Sequence, residues 1–129
     1  MGPIKVEASE RTPEIDFDFA ANKFAIRGES YPEDVSAFYG EILDKLEDHL
    51  GDLSAGDVEF HFELIYFNSS TAKVLMSLFE TLDECAENGA AVKIVWNYEE
   101  DDDNMQELGE EFAEDLAHAS FELREVPIS

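Results

Sequence analysis

The stretch Val58-Glu59-Phe60-His61-Phe62-Glu63-Leu64-Ile65-Tyr66-Phe67 runs into Asn68-Ser69-Ser70-Thr71 and then Ala72-Lys73-Val74-Leu75-Met76-Ser77-Leu78-Phe79. The first part places Phe60, Phe62 and Leu64 on one face and Glu59, His61 and Glu63 on the other, the period of a strand, before turning wholly apolar. After the polar run, Val74, Leu75, Leu78, Phe79 and Leu82 recur at the spacing of an amphipathic helix, which Asn88-Gly89 ends. Val92-Lys93-Ile94-Val95-Trp96-Asn97-Tyr98 is a further strand. A strand, a helix and a strand in that order pair their strands in parallel through a right-handed crossover.

Upstream, Ile15-Asp16-Phe17-Asp18-Phe19 and Lys23-Phe24-Ala25-Ile26-Arg27 alternate on either side of Ala20-Ala21-Asn22, which predicts a β-hairpin at an antiparallel edge. Gly28 to Glu33 breaks the second strand and opens a helix, with Pro32 suited to its first position and Glu33 and Asp34 to the positive end of its dipole. Its apolar stripe is Val35, Phe38, Tyr39, Ile42, Leu43, Leu46 and Leu50, stopped by Gly51. Downstream, the acidic loop Glu99 to Asp103 leads to a third helix, with Asn104 as N-cap, Glu107 three residues on, and Met105, Leu108, Phe112 and Leu116 inward. Phe121-Glu122-Leu123-Arg124 offers a short last strand. Residues 1–13 read as a flexible N-terminal arm and residues 14–129 as a single domain. The expected architecture is α/β: a small two-layer sandwich with one mixed four- or five-stranded sheet and about three helices.

Eight basic against thirty-two acidic residues leave a net charge of −24. A surface so negative repels phosphate backbones and anionic headgroups, which excludes nucleic acid and membrane surfaces as partners and favours contacts that are basic or neutral. The same acidity suits a salty cytoplasm. No apolar run is long enough to span a bilayer or to serve as a secretory signal, and the lone Cys85 has no internal disulfide partner. The expected compartment is the cytoplasm.

Nothing in the chain assembles a catalytic constellation. His49 and His118 fall late on predicted helices, His61 falls on a strand, and none is patterned with a nucleophile. There is no glycine-rich phosphate loop and no H-E-x-x-H, so no catalytic residue, metal ligand or cofactor is expected. Glu99-Glu100-Asp101-Asp102-Asp103-Asn104 is rich in oxygens but lacks the ligand spacing of a calcium loop and reads as a solvated turn. The run Asn68 to Thr71 stands out instead. Asn, Ser and Thr are all N-cap residues, yet one helix needs one cap, and here four stand in a row. Free N–H groups at a helix start also hold anions, including a phosphate on a neighbouring hydroxyl. Lys73, in what reads as the first turn, is disfavoured there by the helix dipole unless such a phosphate partners it.

With these elements placed, the chain resembles the SiaC family of bacterial biofilm-regulation phosphoproteins. The resemblance rests on Thr12-Pro13-Glu14-Ile15, Gly28-Glu29-Ser30-Tyr31-Pro32-Glu33-Asp34, Leu64 to Lys73, Val95-Trp96-Asn97-Tyr98 and Glu110 to Asp115. It implies a STAS-like fold, similar to the anti-sigma-factor antagonists, and a non-enzymatic partner switch. The unphosphorylated form would bind and activate a diguanylate cyclase, linking the switch to cyclic di-GMP and biofilm regulation. A kinase would add the phosphate and a PP2C-type phosphatase would remove it. The resemblance places the phosphoacceptor on Ser69, with Ser70 and Thr71 as alternatives, Asn68 and Lys73 in support, and Tyr31, Pro32 and Glu33 as candidates for the partner surface. The competing readings are a STAS-type antagonist that regulates transcription and an acidic cation-binding module.

Overall fold

The computed structural model describes residues 2–127. Its elements are β1 (Ile4–Val6), β2 (Glu14–Asp18), β3 (Lys23–Ser30), α1 (Val35–Gly51), β4 (Asp57–Phe67), α2 (Ser69–Glu87), β5 (Ala91–Glu99), α3 (Asp103–Ala113) and β6 (Ser120–Val126). The strands form one six-stranded sheet in the order β1-β2-β3-β4-β5-β6, with β1, β2 and β3 antiparallel and β3 through β6 parallel. Each parallel step moves the same way across the sheet, so the three helices cover the same face. That face carries Phe24, Phe60, Phe62, Ile94 and Trp96, all at most 1% exposed. The rings of Phe60 and Phe62 stack 4.6 Å apart, and Phe79 of α2 stacks on Phe62 at 5.2 Å. Such contacts add to the burial term that holds the layers together.

The other face of the sheet stays open to solvent and carries the charges that the strand alternation sends there. Five of the eight basic residues lie on it: Lys5, Lys23, Arg27, Lys93 and Arg124. Several are paired, as in Arg27 with Glu14 at 3.0 Å and Lys93 with Glu122 at 3.1 Å. The helical layer is left almost purely acidic: α2 has Lys73 as its one cation and α3 has none.

The α/β class, the hairpin and the parallel β4-α2-β5 unit match the sequence reading, and several details differ. The sheet has six strands rather than four or five. One of the added strands falls in the expected arm: Ile4 and Val6 pair with Phe17 and Ile15 and pack on the core, while Lys5 approaches Asp16 at 4.0 Å. The expected ends of the chain at Met1 and Ser129 lie outside the described residues. Gly28 does not end β3 but lies where a bulge shifts the register, at φ +112, and the strand continues to Ser30. Helix α1 starts at Val35 because Asp34 accepts a hydrogen bond from the Ala37 N–H at 3.1 Å, which leaves Pro32 outside it. Gly51 belongs to that helix, whose C-cap is Asp52. Helix α3 is capped by Asp102, which accepts from Met105 N–H at 3.1 Å, not by Asn104.

Asp83 of α2 fastens the segment after α3 to the helical layer. Its carboxylate accepts from the N–H groups of Ala117, His118 and Ala119, the last two at 2.8 and 2.9 Å. Burial pushes this carboxyl up, but the N–H groups outweigh it and hold it below the usual aspartate range. A depressed carboxyl stabilises the fold at neutral pH and loses that contribution as pH falls through the acid range. Asp83→Asn is therefore expected to lower stability at pH 7, and the difference from wild type to shrink on acidification. Urea denaturation at both pH values measures it.

Candidate functional site

The carboxyl end of β4 and the start of α2 are locked together by buried hydroxyls. Asn68 is the N-cap: its Oδ1 accepts from the Thr71 N–H at 2.9 Å, and its own N–H donates to the Ser30 carbonyl at 3.1 Å. Thr71 and Ser30 are 0% exposed and Tyr39 is 1% exposed. The Tyr39 hydroxyl lies 2.6 Å from Ser30 Oγ, which lies 2.9 Å from Thr71 Oγ1, which donates to the Ser30 carbonyl at 3.1 Å. One direction of donation, from Tyr39 to Ser30 to Thr71 to the carbonyl, satisfies the whole chain. Burial pushes the Tyr39 hydroxyl up to about 12, against the opposing pull of its bond to Ser30. It stays protonated and stays a donor at neutral pH.

This network divides the four residues of the run by role. Asn68 caps the helix, and Thr71 is part of the core at the junction of β3, α1 and α2. Ser69 and Ser70 are exposed, and as the first two helical residues they precede the first internal donor, Ala72, whose N–H bonds to Asn68 O at 2.9 Å. At 100° per residue, Ser69 shares a ridge with Lys73, Met76 and Glu80, while Ser70 turns toward α1. Because α2 begins at Ser69, Lys73 is its fifth residue and lies in the second turn rather than the first. It is exposed at position i+4 from Ser69, the spacing at which an anion followed by a cation is favourable.

Just before Ser69 in the chain, β4 ends in two exposed apolar residues. At the register shift opposite Gly28 and Glu29, β4 breaks its alternation, and Ile65 and Tyr66 are left 53% and 52% exposed. The Tyr31 ring packs edge-on against Tyr66 at 5.7 Å. Of the other two residues considered for a partner surface, Pro32 is buried and Glu33 is exposed and paired with Arg11. The hydroxyl contacts of Ser30 and Tyr39 escaped the sequence reading, which put Tyr39 on the buried stripe of α1 for its ring alone, although the spacing of Thr71 from Leu75, Leu78 and Leu82 already puts Thr71 on the buried stripe of α2.

The remaining polar groups do not converge on this end. His61 lies on the open sheet face, 2.8 Å from Glu59, whose carboxyl it holds below the usual range. His49 bonds Asn22 at 2.6 Å, and His118 follows α3. Among the described residues no group of three or more His, Cys, Asp or Glu is placed to hold a metal ion. No helix among them is long and apolar enough to cross a membrane.

The chain is thus a two-layer α/β domain with exposed hydroxyls at the head of a helix, on a scaffold locked just beneath them. The chain belongs to the SiaC family of regulatory phosphoproteins, whose model matches residues 6–126. It is 31% identical over 117 residues to a protein of Pseudomonas aeruginosa (strain UCBPP-PA14), covering 91% of this chain and 92% of that one. Crystalline apo-SiaC from Pseudomonas aeruginosa superposes with a TM-score of 0.85 at 31% identity, over 96% of this chain and 99% of that one. The structure of the diguanylate cyclase SiaD in complex with its activator SiaC matches with a TM-score of 0.88 at 29% identity, over 95% and 99% of the two chains.

The lock beneath the exposed hydroxyls carries a stability prediction. Thr71→Val keeps the shape but leaves the buried Ser30 hydroxyl without its acceptor, at a cost of about 1–3 kcal/mol. Asn68→Ala removes the cap and costs about 1 kcal/mol. Both are read by thermal or urea denaturation.

Proposed function

We propose that this chain is a non-enzymatic, phosphorylation-controlled partner switch that binds and activates a diguanylate cyclase when unphosphorylated. The single observation that carries the reading is the placement of Ser69. It is exposed on the first turn of α2, clear of the buried hydroxyl lock, three residues after the exposed Tyr66 and one turn from Lys73. A phosphate there meets the free N–H groups of the helix start and the Lys73 ammonium, so the fold tolerates it while the surface changes. Ser70 turns away from that ridge, and Thr71 is sealed in the core. We therefore take Ser69 as the acceptor, a kinase and a PP2C-type phosphatase as the opposed enzymes, and the cytoplasm as their compartment. Membership of a regulatory phosphoprotein family, and the cyclase complex formed by a relative of the same fold, support this reading over a transcriptional antagonist.

The test is enzymatic and uses the unmodified full chain with the diguanylate cyclase encoded in the same genome. The chain should raise the rate of cyclic di-GMP synthesis saturably. A cyclase indifferent to it sinks the reading.

A further inference from the structure

The helical layer carries a second surface feature, two turns down α2 from Ser69. Between α2 and α3 lies a hollow of about 110 Å³ whose floor is formed by Phe79, Phe112 and Leu116. Met76 stands at its edge and is 55% exposed, the most exposed large apolar side chain among the described residues. The rim is Glu80 on one side and Glu111 and Asp115 on the other. None of these three forms an ion pair within the described residues, and no cation lines the hollow. Asp83 is also present but is occupied by the N–H groups after α3. The much larger hollow over the open sheet face, about 550 Å³, is different in kind: Lys5, Lys23 and Arg27 face Asp16, Asp18 and Glu59 within it.

We propose that the α2/α3 groove seats a basic amphipathic helix of a protein partner, with apolar residues on Met76, Phe79 and Phe112 and lysines or arginines on Glu80, Glu111 and Asp115. The chemistry selects this occupant over others. An apolar floor between two acidic walls is complementary to an apolar ridge flanked by cations, the pattern of helix-in-groove recognition. A strand cannot be added there, since the groove has no free sheet edge. A second copy of the chain would bring −24 of like charge onto the same walls, and a phosphate-bearing surface would be repelled. The inference deepens the partner-switch reading and rests on it for which protein supplies the helix, the groove's own recognition chemistry being independent.

The test uses the full chain with carbon-13 labelled methionine methyl groups. Of the three methionines, Met76 lies on the groove and Met105 is 5% exposed in the core, so the Met76 methyl reports docking and the Met105 methyl serves as reference. The probe is a synthetic helical peptide with leucine at i, i+3, i+4 and i+7 flanked by lysines, set against a scrambled peptide of the same composition. Saturable movement of the Met76 methyl is expected with the helical peptide, about tenfold weaker or more with the scramble. Glu80→Lys with Glu111→Lys should weaken docking by about tenfold or more, while the same charge change at Glu47 and Glu84, in the α1/α2 furrow, should leave it within about twofold. Thermal melts of both double variants verify that they fold. Equal binding of the two peptides, equal losses in the two double variants, or movement of the Met76 methyl by self-association alone would overturn the proposal. If the peptide docks and the cyclase ignores the wild-type chain, the partner reading fails and the groove stands. If the cyclase binds the Glu80→Lys, Glu111→Lys variant as it binds wild type, the groove is not its seat.

Discussion

Protein phosphorylated quantitatively at Ser69 is expected to bind its cyclase at least about a hundredfold more weakly than the unmodified chain, a difference of roughly 3 kcal/mol. The modification adds about −1.5 to −2 charges at pH 7. On an acidic protein facing a basic partner, extra negative charge alone would favour binding, so the sign depends on where it is placed. Ser69 follows the exposed Tyr66, on which Tyr31 packs, by three residues, and a partner that covers this end of the sheet excludes water from it. Taking a phosphate dianion out of water there costs several kcal/mol unless it finds full compensation. The helix start and Lys73 supply part of that within the chain itself, which holds the phosphate in place rather than freeing the surface. Ser69→Ala should stay folded and partner-competent, since the cap is Asn68 and the buried hydroxyl is Thr71. Calorimetry of the cyclase with the three forms measures all of this; tighter binding of the phosphorylated form would show that bulk electrostatics governs the contact.

Gly109→Ala is the second large effect, and its sign opposes helix propensity. Exchanging an interior helical glycine for alanine normally gains about 1 kcal/mol. In α3, a Cβ at position 109 would lie 2.5 Å from Trp96 Cδ1 and 2.6 Å from Trp96 Nε1. The indole cannot retreat: it is 1% exposed, packed against Phe62 at 5.5 Å and Phe112 at 5.6 Å, and its N–H donates to the Met105 carbonyl at 2.9 Å. Helix α3 must therefore lift off the sheet, and overpacking of this kind costs about 3 kcal/mol. The expected outcome is a net destabilisation of roughly 2 kcal/mol by denaturant unfolding. Because α3 forms one wall of the acidic groove, the same variant should also weaken docking there. A stabilised Gly109→Ala protein would mean that α3 does not lie on the indole.

The parts of this fold legible in the sequence are those whose signal is local and repeated. The alternation of Val58 to Leu64 and the stripe from Val74 to Leu82 each state their own conformation, and the run of cap residues from Asn68 to Thr71 marks where the helix begins. The strand Ile4–Val6 was hidden because three residues in a polar segment show no period, and they become a strand only because β2 offers an open edge. The starts of α1 and α3 shifted because aspartates at positions 34 and 102 reach the N–H three residues on, outcompeting Pro32 and Asn104. At the site, the crowding of cap residues was visible, but their division was not. That Thr71 is sealed in depends on Ser30 and Tyr39, distant in sequence and brought there by β3 and α1. The acidic groove is likewise a property of two helices together, and only Met76, an apolar residue on a polar ridge, hinted at it.

Phosphorylation of the full chain by its cognate kinase, with the site mapped by peptide fragmentation, tests the assignment of Ser69 most directly. One phosphate per chain is expected, on Ser69, absent from Ser69→Ala and fully retained in Ser70→Ala. Phosphate on Thr71 or Ser70, or undiminished incorporation into Ser69→Ala, would contradict it.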